Sequence, residues 1–135
     1  AFVAFSPLGR GVLANGVRDV DVLAEKDLRR GMPRFNADNW PRNLALIDAF
    51  NDVANDLGVL PAQLALAWLL SRGEHVVAIP GTASLAHLEE NVARWAWKPD
   101  AATLATVDQL INQSTVAGPR YGATIQATID TEDFA

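Results

Sequence analysis

Apolar and polar positions follow two rhythms along this chain. The first is the short unbroken apolar block. Phe2–Phe5 and Val76–Ile79 are such blocks, aromatic or mostly β-branched. They predict strands, the second buried on both faces. Pro80-Gly81 ends the second block. The other rhythm is the three- and four-residue step of a helix. Over 42–57, Leu46, Ile47, Phe50, Val53, Ala54 and Leu57 make an apolar stripe, and Gly58 stops it. Pro61 opens the next helix, where a missing N–H does no harm. Leu60 before it offers no capping oxygen. Residues 63–70 are apolar nearly all round, as in a helix wedged between layers. Ser84 is an N-cap for a third helix, with Glu89 and Glu90 placing negative charge early in it. Its core stripe is predicted to be Leu85, Leu88, Val92 and Trp95. Ser84, His87, Glu90 and Asn91 form the adjoining polar side. Asp100 caps a fourth helix carrying Leu104, Val107, Leu110 and Ile111.

The connections matter as much. Ser6-Pro7-Leu8-Gly9-Arg10-Gly11 follows the first strand directly. Its Pro and Gly residues make a turn whose bare backbone can approach a phosphate. Asn15-Gly16 is a second turn. Residues 17–40 have little periodicity and read as a long excursion with at most a short helix, a length usually kept for function. The order strand, helix, helix, strand, helix predicts a parallel pair with a right-handed crossover. In such α/β arrangements, unsatisfied N–H groups and the helix dipole favour anions where a strand gives way to a helix.

Composition narrows the function classes. The chain has 135 residues, enough for one core, 50% hydrophobic and 20% charged, ordinary for a globular protein. A net charge of -5 without a basic run argues against a nucleic-acid partner. The absence of cysteine excludes disulfides and thiolate metal ligands, and is compatible with a cytoplasmic location. His75 and His87 alone do not make a metal site. The longest apolar run, 64–70, is far short of the roughly 20 residues of a membrane span, so no membrane partner is expected. No Ser, His and Asp spacing suggests a hydrolase. The sole methionine is Met32 and the chain opens inside a strand, which reads as the C-terminal part of a longer protein.

Pro80-Gly81-Thr82 followed by Leu88-Glu89-Glu90-Asn91 resembles the cofactor loop of the aldo-keto reductases. Ser6-Pro7-Leu8-Gly9, Pro33-Arg34-Phe35 and Gln63-Leu64-Ala65-Leu66-Ala67-Trp68 extend the resemblance to most of the chain. The resemblance implies an α/β fold, the C-terminal part of a (β/α)8 TIM barrel, with strands 7 and 8 and their helices. A whole barrel needs roughly 250 residues. Residues 1–135 would then be the cofactor-binding part, and 114–135 a tail that shapes the substrate pocket or is disordered.

The implied activity is NAD(P)H-dependent reduction of aldehydes or ketones to alcohols, with a small-molecule carbonyl substrate. By the same resemblance Ser6, Leu8, Gly9 and Arg10 lie along the cofactor pyrophosphate. Gly81 and Thr82 meet the adenosine ribose and its 2′-phosphate, with a hydroxyl from Ser84. Glu90 and Asn91 meet the adenine edge. His87 is either part of that site or a surface histidine. Arg34 belongs to the loop that folds over the cofactor; Arg29 and Arg30 belong to it or to a solvated face. NADP is the expected cofactor. NAD stays open, because Gly81 and His87 stand where many NADP-preferring members carry Lys and Arg.

The family's catalytic Asp, Tyr, Lys and His motifs do not occur. Tyr121 lies in the tail, and Lys26 and Lys98 are not at strand ends. No catalytic residue is therefore assigned. The chain alone is expected to be inactive and to require its N-terminal barrel half. Two alternatives stand beside this: a non-catalytic, nucleotide-binding regulatory subunit of the same family, or a truncated product that associates through open strand edges.

Overall fold

β1 (Phe2–Phe5) and β2 (Val76–Ile79) pair in parallel, Phe2 opposite Val76 and Phe5 opposite Ile79. The structure, a computed structural model, describes residues 1–129. A parallel pair cannot be joined by a tight turn. Here the crossover consists of 3-10 turns at Gly9–Ala14, Leu28–Gly31 and Pro33–Phe35, followed by α1 (Trp40–Asp56) and α2 (Pro61–Leu70). After β2 come α3 (Leu85–Val92), α4 (Ala101–Leu110) and the single turn α5 (Ala123–Gln126). The aperiodic stretch 17–40 is thus irregular with two short turns, as its sequence implied.

Side chains alternate across a strand, and the two faces of this pair differ. Ala4 and Val76 are buried against the helices, whereas Val3, Phe5, Val77 and Ile79 on the other face are about half exposed. The expectation that Val76–Ile79 is covered on both faces is therefore corrected. Two strands make an open sheet, and among the described residues only the helical side is covered.

The core sits between α1, α2 and α4. Phe50, Ala54, Val59, Leu64, Ala65 and Val107 form one cluster. Phe50 and Leu64 are fully buried, each worth about 2–3 kcal/mol of transfer free energy. A second cluster joins Val17, Phe35, Trp40 and Ile47, with the Phe35 and Trp40 rings stacked at 5.4 Å. It anchors the irregular stretch to the start of α1.

Helix ends follow local chemistry. Gly58 takes φ 64°, its N–H donates to the Asn55 carbonyl, and the Val59 N–H donates to Ala54. That pattern satisfies two terminal carbonyls of α1 and swings Val59 into the core. Leu60 cannot accept with its side chain, yet its N–H donates to Gln63 Oε1 at 3.1 Å. Gln63 thus supplies half of a capping box from inside α2. Ser84 and Asp100 cap α3 and α4 as expected.

One expectation about helices needs correction. The stripe on α3 is not core: Leu85 is 71% and Trp95 77% exposed, and α3 contains no buried residue. Trp68 on α2 is partly buried and packs against the core cluster. Its Nε1 donates to Asp108 at 2.7 Å, while Arg72 lies over its ring and pairs with the same carboxylate, so the indole stitches α2 to α4. The first residues of the tail, Ser114 to Gly118, are tied to α1 and the segment before it. Asn43 on α1 donates to the carbonyls of Arg34 and Ala117 and accepts from the Ala117 N–H. The end of the tail, 130–135, lies outside the described residues.

Candidate functional site

The register brings both strand exits to one end, since Phe5 lies opposite Ile79. The β1 exit is a tightly wound segment. Ser6, Gly9, Arg10, Gly11 and Asn15 all have positive φ, from 49° to 94°. For Ser6 and Arg10 this left-handed backbone costs about 1 kcal/mol each. Internal bonds hold it: Gly9 N–H to Ser6 O, Gly11 N–H to Leu8 O, Gly16 N–H to Gly11 O.

One side chain from outside also holds it. Arg29 donates from Nη1 to the Arg10 carbonyl at 3.0 Å, and from Nε and Nη2 to the two carboxylate oxygens of Asp27. Asp27 accepts in addition the Arg29 backbone N–H. These hydrogen bonds, the Arg29 side chain first, pull the Asp27 carboxyl from 3.8 down to about 2. The same pairing raises Arg29. Of the two open readings for Arg29, the structure gives it a loop-fastening contact; Arg30 reaches the carbonyls of Asp21 and Leu23 instead.

The β2 exit runs through Pro80, Gly81 and Thr82 into α3. Thr82 Oγ1 accepts the Ser84 N–H at 3.1 Å, and Ser84 Oγ accepts the His87 N–H at 3.4 Å. The helix therefore starts immediately beside the strand end. Between the two exits lies a groove of about 840 Å3. Its walls include Ser6, Leu8, Arg10, Gly81, Thr82, His87, Glu90 and Asn91. Two sequence candidates are not among those walls. Gly9 faces an adjoining cavity of about 370 Å3, shared with Arg10 and Arg34. Ser84 has its oxygen engaged as the cap of α3.

Gly11, in the turn that the sequence marked for close backbone approach, is a wall as well, and further walls carried no such mark: Asn15 and Gly16, and Leu60, Pro61 and Ala62 at the start of α2. The Asn15-Gly16 turn was visible, but nothing in it indicated which surface it borders. A Cβ placed on Gly81 would meet nothing within 4 Å, so the glycine leaves open space at the groove. The ionisable walls are Arg10, His87 and Glu90. The Arg10 guanidinium thus sits at the β1 exit and the His87 imidazole beside the start of α3, with a carboxylate and an amide one turn further along. Such a surface suits a ligand with anionic groups at one end and a flat hydrogen-bonding ring at the other.

Among the described residues no His, Asp and Glu cluster could hold a metal, and no single helix is long and apolar enough to cross a membrane. The Tyr121 ring lies 5.8 Å from the Arg10 guanidinium.

Comparison with known proteins adds three findings. The profile described as the Aldo/keto reductase family matches residues 1–112. Among curated proteins, the aldo-keto reductase yakc [NADP(+)] of Schizosaccharomyces pombe is 36% identical over 131 residues, covering 96% of this chain and 38% of the relative. The aldo-keto reductase str7 of Strobilurus tenacellus is 34% identical, covering 98% of this chain and 39% of the relative. The chain thus spans about two fifths of the length of these relatives. Among solved structures, the glycerol dehydrogenase of Gluconobacter oxydans superposes with a TM-score of 0.75 at 24% identity, covering 98% of this chain and 37% of that one. That likeness bears on the fold alone.

Proposed function

We propose, from the premise that this chain belongs to the aldo/keto reductase family, that it is the cofactor-binding, C-terminal part of a barrel enzyme that reduces aldehydes or ketones with NADPH. β1 and β2 then correspond to strands 7 and 8. The bare face carrying Val3, Phe5, Val77 and Ile79 is turned toward the barrel interior, and the N-terminal half completes the sheet. The length of the relatives, and the exposed stripe of α3, support the same reading.

One observation carries the functional claim: a single groove joins the exits of both strands to the polar side of α3. Arg10 and Ser6 serve the pyrophosphate there, with Leu8 packing beside them and Gly9 giving the turn its shape. Gly81, Thr82 and His87 surround the adenosine ribose and its 2′-phosphate. Ser84 contributes by starting the helix at that point. The Glu90 carboxylate accepts from the adenine amino group, and the Asn91 amide donates to a ring nitrogen. The bound cofactor supplies the hydride that turns a carbonyl carbon into an alcohol. The proton donor and its partners belong to the barrel half outside this chain. NADP, rather than NAD, accords with the name of the yakc relative.

The test is Asn91→Ala in the full-length protein, titrated with NADPH by fluorescence. Losing one or two hydrogen bonds should raise the dissociation constant about 10-fold, at roughly 1 kcal/mol per bond. Turnover at saturating cofactor should stay within about twofold. An unchanged dissociation constant would overturn the assignment.

A further inference from the structure

Gln63 is one of only two buried polar side chains among the described residues, 8% exposed at the start of α2. Both ends of its amide are used. Oε1 accepts the Leu60 N–H at 3.1 Å, and Nε2 donates to the Glu90 carbonyl at 3.0 Å. A backbone N–H can only donate and a carbonyl only accept, so the amide orientation follows from its partners. The first bond belongs to the capping of α2. The second reaches 27 residues along the chain to α3.

α3 has little else to hold it. It buries no residue, Leu85 is mostly exposed, Leu88 and Val92 are half exposed along a cavity they share with α2, and the neighbouring Arg94 reaches the Gly58 carbonyl only at 3.4 Å. Yet Glu90 and Asn91 on this helix are groove walls, as are Leu60, Pro61 and Ala62 beside Gln63. One buried amide therefore links two walls of the same groove.

We infer that Gln63 is a positioning residue for the dinucleotide: it sets how deeply Glu90 and Asn91 sit against the adenine edge. The inference rests on the cofactor reading given above. It makes Gln63 act on the adenine half of the ligand and not on the nicotinamide half.

Gln63→Glu in the full-length protein separates the two bonds. The carboxylate keeps the size of the side chain and an acceptor for the Leu60 N–H, but sets an oxygen against the Glu90 carbonyl. Gln63→Met removes both bonds. Each variant should bind NADPH about 10-fold more weakly, with turnover at saturating NADPH within about twofold. Reduced nicotinamide mononucleotide, which lacks the adenine, should bind each variant as it binds the parent. Equal weakening of both ligands, or no weakening of NADPH by Gln63→Glu, would overturn the inference. A measurement without substitution guards against variants that fail to fold. The side-chain amide resonance of Gln63 should shift on adding NADPH and stay still on adding the mononucleotide; no shift with NADPH also overturns it. Asn91→Ala run in parallel keeps the two claims apart. If it weakens NADPH while the Gln63 variants do not, only the positioning role is lost. If it has no effect, the groove assignment itself falls.

Discussion

Asn43→Leu probes what the tail owes to one buried amide. Asn43 is 7% exposed and makes three hydrogen bonds: from Nδ2 to Arg34 O and Ala117 O, both 2.9 Å, and from Ala117 N–H to Oδ1 at 2.8 Å. Leucine has similar bulk and none of the polar groups. Three bonds at about 1 kcal/mol each set the loss near 3 kcal/mol, and the added apolar surface offsets roughly 1 kcal/mol of it. A net cost of about 2 kcal/mol corresponds to an opening equilibrium roughly 30-fold larger. The loss should be local, because the bonds connect α1 to two loop segments and leave the core cluster around Leu64 intact. Hydrogen exchange is the direct assay, since the Ala117 amide is itself one of the donors. Its exchange should accelerate by about that factor in the variant, while amides within α2 keep their protection. A change below about threefold at Ala117 would refute the reasoning, for the tail would then be held by something other than Asn43.

Two further outcomes follow from other parts of the molecule. The Asp27 carboxyl lies lower in the folded protein than its usual 3.8, so the stability it contributes is complete above that pH and is lost as the pH falls through about 2. Segment 24–30 should loosen across that window in the parent, and Asp27→Asn should be loosened beforehand and flat across it; a titration midpoint near 4 for Asp27 by carboxyl NMR would contradict the Arg29 pairing. Leu64→Ala removes a fully buried side chain and should cost about 3 kcal/mol in urea unfolding, whereas a loss under about 1 kcal/mol would mean the site collapses around the gap.

The strands, the order of elements and most helix ends were legible because their causes are local. The β-branched run of β2, the Ser84 and Asp100 caps and Pro61 at the start of α2 depend on few neighbours. α1 begins two residues earlier than its stripe suggested, at Trp40, because that ring packs on Phe35. The stripe of α3 was legible as a pattern and misread as covered. Periodicity reports which positions suit burial, not whether a partner layer is present, and the described residues provide none for Leu85 and Trp95. Asn43 was overlooked although its place gave a clue: it stands among Trp40, Ile47 and Phe50 on the buried side of α1, a polar residue inside an apolar stripe. Its partner Ala117 could not be read, since alanine backbone carries no mark of a contact 74 residues away. Gln63 shows the same limit, with a capping role that its spacing permits and a second bond that only the tertiary structure reveals. The motifs at both strand exits were visible; that they border one space follows from the parallel register.

The walls of that space come from stretches far apart in the chain, around Ser6 to Gly16, Leu60 to Ala62 and Ile79 to Asn91. A guest lying across them is a removable cross-link. It ties the front of the chain to α3 without a covalent bond and resists any fluctuation that parts them. At a concentration 100 times its dissociation constant, such a guest adds about 2.7 kcal/mol against unfolding. Because α3 buries no residue of its own, that reinforcement falls on a helix the described core holds lightly, so occupancy and mechanical integrity rise together at this end of the sheet.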